Sequence, residues 1–260
     1  FVTSHGYGAF GQVTRLTRHA SSTSLAARAV ASSESAAKQA EVESALALGT
    51  QQALDRSLHT THDRLGRVVE TRQPEAFAFD ATLDLKSFWG AARTRNTYNA
   101  FGEIVQVAQA RDHAGVDWFL TTHYFDALGR EAAVVDAMGH LTTRAYDALG
   151  NLAEVKEHAT ALAPGQWNGT SHGAPEGSEE DRLMRLAYDL LGRKVSETRV
   201  QAEYSTASDG TSMRGDLVTR FAYDALGNQT AVAGALGPTT WAYYGVLGRA
   251  RLGAWTARLG

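Results

Sequence analysis

Apolar and polar residues alternate in short runs along most of the chain. In Leu141-Thr142-Thr143-Arg144-Ala145-Tyr146, Leu, Thr and Ala fall on one side and Thr, Arg and Tyr on the other. Leu217-Val218-Thr219-Arg220-Phe221-Ala222-Tyr223 keeps the same two-residue period with β-favouring side chains. Such runs predict half-buried strands. Asp126, Asp136 and Asp147, ten and eleven residues apart, each open a turn signal, so the strands are expected to pair antiparallel.

The turn signal is itself a repeat. A hexapeptide recurs as YGAFGQ at Tyr7, HDRLGR at His62, YNAFGE at Tyr98, FDALGR at Phe125, YDALGN at Tyr146, YDLLGR at Tyr188, YDALGN at Tyr223 and YGVLGR at Tyr244. The basic period is 21 residues, the step from Phe125 to Tyr146 and from Tyr223 to Tyr244; the longer steps carry insertions. Half-units lie between copies, at Asp136-Ala137-Met138-Gly139 and Gly234-Ala235-Leu236-Gly237.

Asp-x-Leu-Gly has a physical reading. The Asp carboxylate accepts backbone N–H groups two residues on, and the two central residues take ordinary helical dihedrals. The glycine takes a left-handed conformation and leaves a one-residue bulge where the next strand begins. The expected turn positions are Tyr7 and Gly11, Asp63 and Gly66, Tyr98 and Gly102, Asp126 and Gly129, Asp136 and Gly139, Tyr146, Asp147 and Gly150, Tyr188, Asp189 and Gly192, Tyr223, Asp224 and Gly227, and Tyr244 and Gly248.

Two stretches pull towards helix. SEEDRLMRLAYDLL, residues 178–191, has a capping Ser and an acidic first turn. The repeat register instead makes 183–188 a strand entering a turn, and the register is preferred. Residues 34–48, rich in Ala, Glu and Lys after Ser32-Ser33 and ending at Gly49, are expected to form a short helix. The organisation expected is a first repeat over 1–20, a partly helical insertion over 21–60, and a repeat sheet over 61–260 with loops near 163–180 and 202–215.

Composition narrows the function. With 25 Lys+Arg against 28 Asp+Glu, net charge −3, the chain has no basic footprint, which argues against a dedicated nucleic-acid partner. Its 43% hydrophobic and 20% charged content argues against disorder. No apolar stretch approaches the roughly 20 residues of a membrane span. The absence of cysteine removes disulfides, zinc–thiolate sites and thiol nucleophiles. The chain starts at Phe1, and the expectation is a segment of a longer polypeptide. Asn168-Gly169-Thr170 fits the N-glycosylation pattern.

No P-loop, dinucleotide fingerprint or nucleophile elbow is present. His59 and His62 have a helical metal spacing without a third ligand nearby. No catalytic, cofactor-binding or metal-binding residue is assigned, and the segment is expected not to be an enzyme. The repeat Asp residues read as turn caps and the repeat Tyr residues as cross-strand packing, with sugar stacking as the sharper alternative. Arg67, Arg130, Arg193 and Arg249 read as strand starts paired with nearby carboxylates.

Tyr146-Asp147-Ala148-Leu149-Gly150-Asn151, preceded by Asp136-Ala137-Met138-Gly139-His140-Leu141-Thr142, resembles the YD repeat of RHS-repeat proteins. The likeness is discontinuous over 1–260 and densest over 98–249. His62 and Phe125 stand where the family has Tyr, and Gly8, Asn99 and Gly245 where it has Asp; looser turns are expected in those copies. The resemblance implies an all-β fold of stacked antiparallel hairpin repeats, a segment of a large spiralling sheet or hollow shell, with a short helical insertion. In RHS proteins and their Tc-toxin relatives the shell encloses a toxic C-terminal domain. By that resemblance the partners would be the remainder of the shell, the enclosed toxin, and a secretion-system or toxin-complex component, and the protein would be secreted or delivered from a bacterium. Teneurins and bacterial wall-associated proteins use the same repeats, so the alternative is an extracellular adhesion surface that holds a glycan. The family's self-cleaving core is not visible in this sequence.

Overall fold

The computed structural model describes residues 3–20, 55–80, 86–111, 115–205, 211–237, 239–244, 250–251 and 256–257. The helix expected at 34–48 and the last motif glycine, Gly248, lie outside them. The chain divides into two compact units, residues 1–121 and 122–260.

The first unit holds β1 (Thr3–Tyr7), β2 (Val13–Arg18), β3 (Arg56–His62), β4 (Val68–Arg72), β5 (Ala76–Asp80), β6 (Lys86–Gly90), β7 (Arg93–Tyr98) and β8 (Ile104–Ala110). The order β1-β2-β3-β4-β7-β8 is an antiparallel meander, and β5–β6 is a hairpin set into the β4–β7 connection. β3 begins at Arg56, so the last residues of the expected 21–60 insertion already belong to the sheet.

The second unit continues with β9 (Trp118–Phe125), paired from Thr122 onward, β10 (Glu131–Val135), β11 (Leu141–Tyr146), β12 (Leu152–Glu157), β13 (Arg182–Tyr188), β14 (Lys194–Tyr204), β15 (Met213–Tyr223), β16 (Gln229–Ala233), β17 (Thr239–Trp241), β18 (Tyr243–Tyr244), β19 (Ala250–Arg251) and β20 (Thr256–Ala257). β9 to β17 are neighbours in sequence order, β20 pairs with β17, and β18 with β19. Every pairing is antiparallel, and the described residues contain no helix.

β13 is a strand despite its helix-favouring composition. It pairs on both sides, with β12 and β14, so its amides are satisfied by neighbours rather than within the segment. Both ends of the loop expected at 202–215 are sheet: β14 runs on to Tyr204 and β15 starts at Met213. The hairpin passes a bulge at Gln201, which has φ 49° and donates its amide to Asp216 Oδ1 at 2.9 Å. The end of β14 alternates, with Gln201 and Glu203 exposed and Ala202 and Tyr204 half-buried.

An antiparallel meander sends alternate connections to opposite rims. The motif turns join β1–β2, β3–β4 and β7–β8 in the first unit and β9–β10, β11–β12, β13–β14 and β15–β16 in the second. Within each unit the motif turns therefore share one rim, and insertions of any length leave by the other. This is why the step between copies varies while the motif does not.

Buried apolar side chains are few. Among the described residues they are Ala108, Ala133, Val135, Leu141, Leu162 and Ala231. Four of them, Ala133, Val135, Leu141 and Leu162, form one cluster with Tyr124 and Trp167 against it. The cluster exists because the β12–β13 excursion folds back on the sheet. Leu162 N–H donates to Gly139 O at 2.9 Å, and Tyr124 Oη donates to Asn168 O at 2.6 Å. The loop expected at 163–180 is thus irregular but docked.

The excursion is tied at its base by Asp181. Burial opposes ionisation of this carboxyl, but the Ala159 amide at 3.0 Å and the Lys156 ammonium at 3.0 Å outweigh it and hold its pKa below the usual value. His158 stands 3.6 Å from Asp181, and its Nδ1 is buried without a hydrogen-bond partner. Burial first, then the nearby Lys156 charge, lowers its pKa, against the attraction of Asp181. The unfolded chain therefore takes up this proton at higher pH than the folded one. The associated stability is present above about pH 6.5 and is lost as pH falls through the lowered folded value. Hydrogen exchange at the Leu162 amide, corrected for intrinsic rate, is expected to quicken from pH 7 to pH 5. His158→Gln removes that change; a pH response that persists in the variant points to another group.

Candidate functional site

The repeated turn is the feature built most consistently. In the Asp126 copy the Asp N–H donates to Arg130 O at 2.8 Å and Gly129 N–H donates to Asp126 O at 3.0 Å. Asp126 Oδ1 accepts Leu128 N–H at 2.8 Å and Arg130 N–H at 3.0 Å. Asp63, Asp136, Asp147, Asp189 and Asp224 make the same set. The turn glycines Gly11, Gly66, Gly102, Gly129, Gly139, Gly150, Gly192 and Gly227 all have φ between 75° and 90°. The strand register slips by one residue at the aromatic before the motif turn, for example between Ala145 and Tyr146.

In the described copies departures in sequence do not open the turn; the Gly245 copy lies outside the described residues. Asn99 caps Phe101 and Glu103 through Oδ1 at 2.9 and 3.0 Å, as an Asp would, so the looser turn expected there is absent. Gly8 has no side chain to cap with, yet its two backbone bonds remain, at 2.8 and 3.0 Å. The half-turn at Gly234–Gly237 differs: neither glycine has positive φ, and no carboxylate occupies the first position. Tyr244 pairs with Ala250 in β18–β19.

In the Asp63, Asp126, Asp147, Asp189 and Asp224 copies the second oxygen reaches the side chain of the residue after the glycine. Asp63, Asp126 and Asp189 accept Arg67, Arg130 and Arg193 Nε at 2.7 Å. Asp147 and Asp224 accept Asn151 and Asn228 Nδ2 at 2.9 Å. The clamped guanidinium then lies over the tyrosine of the following copy: Arg67 over Tyr98 at 4.5 Å, Arg130 over Tyr146 at 4.4 Å and Arg193 over Tyr223 at 5.0 Å. Those tyrosine hydroxyls donate back across the rim, to Val68 O, Glu131 O and Lys194 O, at 2.8–2.9 Å. Each Asp–Arg turn thus fixes its guanidinium by an internal ion pair and is bolted to the next turn by one cation–π contact and one tyrosine hydrogen bond.

Asp, Arg and Tyr read separately from the sequence as cap, paired strand start and packing residue are thus one relay across copies. A signal for it was present: each described Arg copy is followed by a Tyr copy, whereas Gln12 precedes His62 and Glu103 precedes Phe125.

Hydrogen bonds to the ionised form depress these carboxyls. For Asp63, Asp126 and Asp189 the main cause is the backbone amide of the following Arg, and for Asp147 and Asp224 the side chain of the following Asn. A depressed folded pKa contributes stability that is full above the ordinary Asp value of about 3.9 and is lost as pH falls through the lowered value. The thermal midpoint is expected to drop steeply below about pH 4. Asp189→Asn, which keeps the cap as Asn99 does, flattens that drop; an unchanged acid limb would mean that other groups set it.

The sheet faces are also paired internally. Glu70 binds Arg93 at 2.7 Å and Arg95 at 2.9 Å, and Glu131 binds His123 at 2.6 Å and Arg144 at 2.8 Å. Among the described residues no cluster of three His, Cys, Asp or Glu could hold a metal. His62 Nδ1 is buried without a partner, and His59 pairs in register with Arg72. An open groove of about 1060 Å³ beside the excursion is lined by His140, His158, Asp181 and Arg214 among others, with no serine in its lining.

Residues 125–160 match the family model described as RHS Repeat. None of the curated proteins matches the sequence. Among solved structures the chain is similar to one titled Crystal Structure of TcdB2-TccC3, at 16% identity over 99% of this chain and 15% of that chain, with a TM-score of 0.32. It is also similar to Crystal Structure of TcdB2-TccC3-TEV, at 13% identity over 95% of this chain and 16% of that chain, TM-score 0.28. The chain spans about a sixth of the length of these matched chains.

Proposed function

We propose that this chain, whose residues 125–160 match the RHS Repeat model, is a non-enzymatic stretch of wall in a repeat-built shell that encloses a C-terminal toxin domain. The observation that carries the reading is the relay of Asp, Arg and Tyr from turn to turn. It stiffens a ribbon along its rim while leaving the faces half-exposed, with only six apolar side chains buried among the described residues. A compact domain secures itself through a core; this ribbon is held by its ladder, its rim and its ion pairs. The partners on this reading are the remaining repeats, the enclosed toxin and a toxin-complex or secretion component, with delivery from a bacterium. The glycan-binding alternative lacks a comparable support, because the Tyr98, Tyr146 and Tyr223 hydroxyls and one ring face each are already engaged.

Cryo-electron microscopy of the full-length parent tests the proposal. A closed hollow body with this ribbon in its wall is expected. A solid domain, or an extended stalk with no cavity, would sink it.

A further inference from the structure

In the described copies the residue before the motif glycine is a large apolar side chain held out into water. Phe10, Leu65 and Phe101 in the first unit, and Leu128, Leu149, Leu191 and Leu226 in the second, project from the turn tips, as does Leu190, which at 94% is the most exposed. Folding does not ask for this. The third turn position accepts Asn, Asp or Ser at least as readily as Leu. The tip residue before it adds no charge in most copies: it is Ala9, Ala100, Ala127, Ala148, Leu190 or Ala225, with Arg64 the exception. The Asp carboxylates turn inward and are consumed by amides and by Arg or Asn. The motif rim of the second unit is therefore an apolar, charge-neutral stripe at the site where solvent exposure is greatest.

We propose that this rim is a self-complementary docking edge, and that its occupant is the same rim of a second copy of this chain. Spacing selects the occupant. Successive tips are two strands apart, about 10 Å, so the partner must offer apolar contacts with that repeat. A second copy does so by construction. Two identical rows offset by half a step seat each leucine between two of the other's, and neither row brings a charge that would be stranded. Covering the five tip leucines of the second unit in both copies removes on the order of 1000 Å² from water, the size of a weak reversible dimer. The inference stands apart from the wall reading, whose partners are the remaining repeats, and its test reads association alone.

Sedimentation velocity over a concentration series, on the wild-type chain and on the variant L128N/L149N/L191N/L226N, decides it. Asn suits this turn position, and circular dichroism checks that the variant is folded. A reversible wild-type dimer is expected, weakened about 100-fold or more in the variant. The cysteine-free sequence allows a second readout. Ala148→Cys at a tip is expected to cross-link copy to copy with a short bismaleimide, and Thr3→Cys on the outer strand β1 is not. A wild-type chain that stays monomeric overturns the docking edge and leaves the wall reading to the microscopy. Association that survives in the variant, or that cross-links through Thr3→Cys, assigns the contact to open sheet edges and overturns it equally.

Discussion

Leu141→Ala is expected to lower the stability of the second unit by about 3 kcal/mol, whereas Leu149→Ala changes it by no more than about 0.5 kcal/mol. The two leucines lie eight positions apart in the same hairpin, and their burial separates them. Leu141 is 2% exposed and packs with Val135, Ala133 and Leu162, whereas Leu149 is 69% exposed at a turn tip. The cavity left at position 141 has little chance to collapse, because backbone ladders hold β10 and β12 on either side of it. So few side chains are buried that this cluster contributes a disproportionate share of the apolar stabilisation. Urea titrations followed by circular dichroism and tryptophan fluorescence measure both losses. Equal losses would mean that the excursion does not pack on the sheet as described.

Gly139→Ala is expected to cost about 3 kcal/mol, and Gly227→Ala only about 1–2 kcal/mol, although both glycines do the same backbone job. Their φ angles are 88° and 86°, so the left-handed penalty is shared. The surroundings differ. A Cβ at Gly227 meets nothing within 4 Å, whereas one at Gly139 would stand 2.9 Å from Leu162 O and 3.3 Å from the Trp167 ring. A carbonyl oxygen cannot rotate away as a side chain can, so the excursion must lift and surrender the Leu162 and Trp167 contacts. Limited proteolysis within 158–181 should accelerate in Gly139→Ala and not in Gly227→Ala. Matching stability losses with unchanged proteolysis would show that φ alone matters at both sites.

The relay and the excursion differ in how far the sequence reveals them. Asp126, Leu128, Gly129 and Arg130 make their bonds within five residues, so an eightfold hexapeptide exposes the turn directly. Asn99 shows where that reading is too strict, since an amide oxygen caps as well as a carboxylate. Arg193 reaching Tyr223, 30 positions on, depends on which hairpins become neighbours. The 202–215 stretch misleads for another reason: Ala202-Glu203-Tyr204 does alternate, but the run is too short to stand out against the polar Ser, Thr, Asp and Gly residues that follow it.

By itself the sequence determined the period, the turn type, the positions needing a left-handed glycine and the antiparallel class, because each is set by interactions among residues a few positions apart. Only the tertiary structure decided that the motif turns of each unit share one rim, that Asp, Arg and Tyr of successive copies join into a relay, and that residues 158–181 cover Leu141. Those outcomes follow from strand adjacency, which sums weak pairings across the whole sheet and which no local pattern encodes.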